Sequence, residues 1–201
     1  ERKLKSCKKL ALKSTSSDEL RGHEGDAASA YFSVFTHLLR TSDPVFQFTG
    51  RNRRPPRDAV NCMLSFIYTL IANDCTAALE SVGLDPYVGL FHTLRPGRPS
   101  LALDIMEEMR AYLGDRLVLS LINRRQISGR HFIFQGEDTV TTTDEGRKTI
   151  LQAWQQRKKE IITHPFLNEK IQIGLLPYVQ SQLLARTIRD SIEIYPPFLI
   201  K

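Results

Sequence analysis

The stretch RNRRPPRDAVNCMLSFIYTLIANDCTAALESVG, residues 51–83, constrains the fold more than any other part of the chain. Val60, Met63, Leu64, Ile67 and Ile71 recur at helical spacing along one face. Pro55 and Pro56 suit a helix entrance and Gly83 an exit, so one long helix is predicted over about residues 57–82. Much of the remaining sequence repeats that period. Residues 1–13 read as the tail of a basic helix, and STSSDELRG as a polar connector. A second helix is predicted over roughly 25–40 from Ala27, Ala30, Tyr31, Val34 and Leu38. TSDPVFQFTG reads as a loop with a short strand-like piece, and DPYVGLFH as a short helix or turn. LALDIMEEMRAYLGDRLVLSLINRRQI supplies one or two helices. HFIFQGEDTVTTTD is the clearest β segment, a hairpin with a polar turn. EGRKTILQAWQQRKKEII and NEKIQIGLLPYVQSQLLARTIRDSI read as two more helices, the second kinked or punctuated at Pro177. The expected fold class is mainly α, a helical domain carrying one small β-hairpin.

The length of 201 residues suits one large domain or two small ones. No apolar stretch is read as approaching the length of a membrane span, so no membrane partner is expected. No signal peptide is recognised, and the chain opens at Glu1 inside a charged segment, as an excised piece of something longer would. Cys7, Cys62 and Cys75 form no CxxC pair, which excludes zinc-ribbon and thioredoxin readings and favours buried reduced thiols in a cytoplasmic protein. The net charge is +6, but residues 1–13 set six Lys/Arg against Glu1, which leaves +1 for the rest of the chain. Local clusters therefore say more than the total.

Several residues could carry chemistry. Glu24, in LRGHEGDAASAYFSVF, is placed at the N-terminal edge of the second helix. There a carboxylate suits the positive end of the helix dipole, or it can serve as a ligand. In SLALDIMEEMR, Asp104 and Glu107 are three apart, so on a helix they lie about 60° apart on one face. Leu101, Ile105 and Met109 fall near the opposite side. The two carboxylates read as a solvated face or as part of a site. His92 precedes a Pro/Gly-rich loop and reads either as a structural histidine or as a ligand. If Glu24, His92, Asp104 and Glu107 converge, one nitrogen and three carboxylates form a mixed site suited to Mn²⁺ or Mg²⁺. Around them lie Arg51, Arg53, Arg54 and Arg57, then Arg95 and Arg98, then Arg124 and Arg125. Each cluster is an exposed loop or helix end, or a phosphate contact. A basic rim around an acidic centre makes sense where a divalent cation bridges carboxylates and nucleic-acid phosphate.

Five ordered blocks carry a resemblance: LRGHEGDAASAYF, RNRRPPRDAVNCMLSFIYTLI, RPGRPSLALDIMEEMR, LINRRQI and HPFLNEKIQIGLLPYVQSQLLARTIRD. Together they resemble the universal CRISPR-associated adaptation nuclease and integrase family, closest to its type I-C forms. The resemblance runs from about residue 18 to the C-terminus. It implies a C-terminal helical catalytic domain over residues 20–201, with residues 1–19 as the connecting helix and linker, and the family's N-terminal β-rich domain absent. It implies metal ligands at Glu24, His92 and Glu107, with Asp104 as an adjacent acidic residue supporting the site. All four are expected to be catalytic. Arg51, Arg53, Arg54, Arg95 and Arg98 are expected to bind DNA. Asn61 and Ser65, one turn apart, either line the pocket or cap the core.

The implied activity is metal-dependent phosphoryl transfer. A free 3′-hydroxyl of a short DNA fragment attacks a phosphodiester at the edge of a CRISPR repeat, and water in its place gives nuclease activity on DNA. The implied partners are double-stranded or branched DNA and a small ferredoxin-like adaptation subunit, with homodimers in the full-length family. The competing expectation is a non-catalytic helical DNA-binding or scaffold module with solvated carboxylates.

Overall fold

In the computed structural model, which describes residues 1–136 and 139–199, every long apolar run with a helical period forms a helix. These are α1 (Arg2–Ala11), α2 (Ser17–Phe35), α3 (Ala59–Ser81), α4 (Ser100–Met109), α5 (Arg116–Asn123), α6 (Asp144–Lys158) and α7 (Leu176–Ile188). The fold is mainly helical. Among the described residues it adds two small antiparallel ladders. In one, β1 (Phe132–Gln135) pairs with β2 (Thr139–Thr142), Phe132 opposite Thr142. In the other, β3 (Ile161–Thr163) pairs with β4 (Lys170–Gln172), Ile161 opposite Gln172. The first is the expected hairpin; its turn residues Glu137 and Asp138 lie outside the described residues. The second corrects the expectation of a single β element. Residues 161–162 and 170–172 leave the predicted helices because the strands they belong to pair with each other rather than continuing a helical turn.

The chain divides into two compact units, residues 1–62 with 121–146, and residues 63–120 with 147–201. In the first unit α1 packs on α2 and buries Cys7. Its core is aromatic. Phe32, Phe35 and Phe48 pack with ring centroids 5.4–6.1 Å apart, and Phe46 meets Phe132 edge-on at 6.1 Å. In the second unit Met63, Leu64, Ile67 and Ile71 of α3 are fully buried, as are Met109, Ile150, Ile173 and Leu176.

Two boundaries differ from expectation with consequences for the site. α2 starts at Ser17, not near residue 25. Ser16 caps it, its Oγ accepting from the Glu19 N–H at 3.2 Å, while Glu19 reaches back to the Thr15 N–H at 3.0 Å. The polar connector is thus the helix's first turn, and Asp18 and Glu19 meet its dipole. Glu24 is displaced to the helix interior. Second, α4 does not run straight into α5. Residues Arg110–Asp115 form a widened π turn between them. Gly114 lies in this turn and lets the Tyr68 ring pack against it: a Cβ there would sit 2.9 Å from a ring carbon. Pro177 lies in the first turn of α7, where its missing N–H costs nothing, and starts the helix rather than kinking it.

The expectation about membrane-length segments is also corrected. The 23 residues of α3 are long and apolar enough to cross a membrane by length and composition alone, but half of that apolar window is buried inside the protein.

Candidate metal and DNA site

His92 and Asp104 are brought together. The loop after α3 folds back over the start of α4, and Asp104 organises the return. Its Oδ2 accepts from the Leu90 and Phe91 N–H groups at 2.7 and 3.0 Å, and its Oδ1 from the His92 N–H at 2.9 Å. The same Oδ1 lies 2.6 Å from His92 Nδ1. A carboxylate oxygen already held by backbone donors is an acceptor, so Nδ1–H donates to it and Nε2 faces away from Asp104. The imidazole is 18% exposed, enough to present that nitrogen outward. A carboxylate behind one ring nitrogen and a free acceptor at the other is the arrangement of a metal-binding histidine.

Glu107 lies on the same helix, one turn beyond Asp104. Its Oε1 pairs with Arg110 Nη1 at 2.6 Å. Arg110 also lies over the Tyr68 ring, 5.6 Å from its centroid, and the Tyr68 hydroxyl donates to the buried Asp115 in the π turn. The widened turn therefore sets Arg110, and Arg110 sets Glu107. This link was not anticipated, although EEMR places Arg110 at i,i+3 from Glu107.

Glu24 belongs to the other unit. It is exposed in the third turn of α2 and makes no hydrogen bond or ion pair among the described residues. Gly22 and Gly25 stand on either side, and a Cβ at each would meet nothing within 4 Å. Among the described residues no three His, Cys, Asp or Glu side chains are gathered closely enough to hold an ion. Within the second unit, the open imidazole nitrogen of His92 with its oriented partner is donor chemistry that suits a borderline cation.

The basic residues sort by exposure. Arg53, Arg54 and Arg95 are exposed, and Arg98 is half-buried. Arg51 is half-buried and engaged, with Nη1 2.7 Å from Asn61 Oδ1. Asn61 is the fully buried hub of the RNRRPPRD loop. It accepts from the Asn52 N–H at 3.1 Å and donates to Gly50 O at 2.8 Å and Asp58 Oδ2 at 2.6 Å. Of its two expected roles, Asn61 performs the structural one.

Glu108, next to Glu107, passed unnoticed in the sequence. It accepts from Gln180 Nε2, the Tyr195 hydroxyl and the Phe198 N–H at 2.8, 2.7 and 2.7 Å, tying the C-terminal segment to α4. Burial and the Glu108 charge push the Tyr195 hydroxyl well above the usual range. The three cysteines are free and buried. Burial, aided by Asp58, pushes the Cys62 thiol up to about 11, and burial raises Cys75 further. Both stay protonated at neutral pH, which removes them as nucleophiles.

Comparison with known proteins bears on this geometry. The family described as CRISPR associated protein Cas1 matches residues 1–156. A CRISPR-associated endonuclease Cas1 of Chlorobaculum tepidum is 54% identical over 98% of this chain, which spans 57% of that protein's length. The solved structure of a Cas1 protein from Thermotoga maritima superimposes with a TM-score of 0.82 at 31% identity, covering 92% of this chain and 56% of that one. A Cas6-RT-Cas1–Cas2 complex matches with a TM-score of 0.84 at 27% identity, covering 98% of this chain and 21% of its own.

Proposed function

We propose, since this chain belongs to the Cas1 family, that it forms the helical catalytic part of a DNA endonuclease and integrase. Its reaction would join short DNA fragments into a CRISPR array by transesterification during spacer acquisition. The observation that carries the proposal is the His92–Asp104 pair, in which Asp104, one helical turn before Glu107 on α4, orients an imidazole whose Nε2 is open. The endonuclease name of the Chlorobaculum relative supports the reaction class.

In this proposal Glu24, His92 and Glu107 hold a Mn²⁺ or Mg²⁺ ion. When bound, that ion supplies Lewis-acid polarisation of the scissile phosphate and offsets the charge that builds on its oxygens. The protein's own contribution is positional. Asp104 fixes the ring of His92 and the backbone of residues 90–92 together, so the nitrogen donor needs no reorganisation. Arg110 keeps Glu107 extended on its helix face until a cation competes for the oxygen. Glu24 has no competing partner among the described residues to give up. Arg53, Arg54 and Arg95 contact flanking phosphates. In the transfer, the fragment's 3′-oxygen bonds to phosphorus and releases its proton. The P–O bond to the displaced strand breaks, leaving a new 3′-hydroxyl. Water as the attacking group gives strand cleavage. A Cas2-type subunit and a second copy of the chain are proposed as partners, a reading supported by the complex in which a Cas1-like fold occurs with Cas2.

The test is cleavage of branched DNA in Mn²⁺ by the intact protein. Glu24→Ala and His92→Ala are each expected to lower the single-turnover rate by at least about 100-fold. Wild-type rates in both variants would leave the scaffold module as the better account.

A further inference from the structure

The first unit contains a cleft that the proposed chemistry does not use. About 540 Å³ of open volume lies between the loop after α2 and the end of α5. Arg40, Thr41 and Ser42 line one side, and Arg125 and Ser128 the other. The floor is apolar, formed by Phe46, Ile122 and Ile127.

Both sides are held in place. Asn123 clamps the α2 loop to α5: its Nδ2 donates to Leu38 O at 3.0 Å, and its Oδ1 accepts from the Arg40 N–H at 2.7 Å. Two residues later the helix stops in a Schellman motif. Gln126 N–H reaches Leu121 O and Arg125 N–H reaches Ile122 O, both at 2.9 Å. This motif needs a left-handed residue at Arg125, whose φ is 56°. The same motif ends α3 with Gly83 at φ 78° and α7 with Asp190 at φ 56°. Glycine and aspartate tolerate that conformation; arginine is disfavoured there. Helix termination alone therefore does not account for arginine at this position. Its side chain lines the cleft.

Charge and donors fit an anion with an apolar body. Neither Arg40 nor Arg125 meets a carboxylate within ion-pair distance among the described residues. The one carboxylate in the cleft, Asp43, spends Oδ1 on the Val45 N–H at 3.0 Å. Thr41 Oγ1 accepts from the Asp43 N–H at 3.1 Å, which leaves its own hydrogen to donate. Ser128 Oγ is taken by His131 Nδ1 at 3.2 Å, so two guanidinium groups and the hydroxyls of Thr41 and Ser42 are left to suit a phosphate, and the floor suits a sugar or base. We propose that this cleft binds a nucleotide phosphate, carried either by a single DNA strand or by a free nucleotide.

Binding to the intact protein in EDTA tests it, read by fluorescence or calorimetry with three probes: inorganic phosphate, 5′-phosphorylated thymidine dinucleotide and a ten-nucleotide single strand. Without metal, the result is independent of whether the chain cleaves DNA. Arg125→Gly is expected to weaken dinucleotide binding roughly tenfold and to reduce its salt slope by about 1. Its melting temperature should be unchanged or higher, because glycine accepts the left-handed backbone. Arg40→Gln should weaken the dinucleotide similarly. A strand bound far more tightly than the dinucleotide assigns the site to DNA, and equal affinities assign it to a free nucleotide. Dinucleotide affinity unaltered by both substitutions would overturn the proposal, as would no dinucleotide binding at millimolar concentration.

Discussion

Asp104 shows how one carboxylate can be structural and functional at once. Its oxygens accept from three backbone N–H groups and lie against one ring nitrogen. Asp104→Asn replaces an oxygen acceptor with a donor facing those N–H groups. It should lower stability by about 1–3 kcal/mol in thermal melts. It should also cut DNA cleavage by about 10–100-fold in single-turnover assays, because the orientation of His92 is lost. Cys62 makes a prediction about pH. Its raised pKa means the folded state keeps the thiol protonated after the unfolded chain, at the ordinary thiol value of 9.0, has released its proton. The resulting stability is fully present below pH 9 and is lost as pH rises towards 11. In denaturant melts between pH 9 and pH 11, the stability of Cys62→Ala should decline less than that of wild type.

At the scale of elements, the sequence carried the helices well because their apolar faces are long and regular, as in α3 and α4. It misplaced the start of α2. Ser16 and Glu19 are polar and read as a linker, yet their side chains take up the helix's first N–H groups. β3 and β4 were missed for a different reason. Three residues hold too little alternation to distinguish a strand from the end of a helix, and only their mutual pairing decides. The π turn was illegible because nothing local marks it, and Tyr68, which packs on its Gly114, is more than forty positions away. The Ser16 cap leaves Gly22 and Gly25 inside α2 with open space at each Cβ. Gly22→Ala and Gly25→Ala should each stabilise the protein by about 0.5–1 kcal/mol in urea titrations. No gain in either would mean that the helix is not continuous through Glu24.

For the whole molecule, the proposed activity depends on residues far apart in sequence. His92 and Glu107 lie within one unit, and their carrier, α4, is braced by Arg110 beneath Glu107 and by Glu108 against the C-terminal segment. Glu24 comes from the other unit on an independently capped helix. The sequence could suggest three donors of suitable chemistry, but spacing alone cannot show side chains converging. The most direct measurement is a crystal of the intact protein grown with Mn²⁺ and imaged by anomalous scattering. The account predicts one strong peak within about 2.5 Å of His92 Nε2 and of carboxylate oxygens from both Glu24 and Glu107. A well-occupied ion elsewhere, with His92 Nε2 facing protein or bulk water, would contradict it.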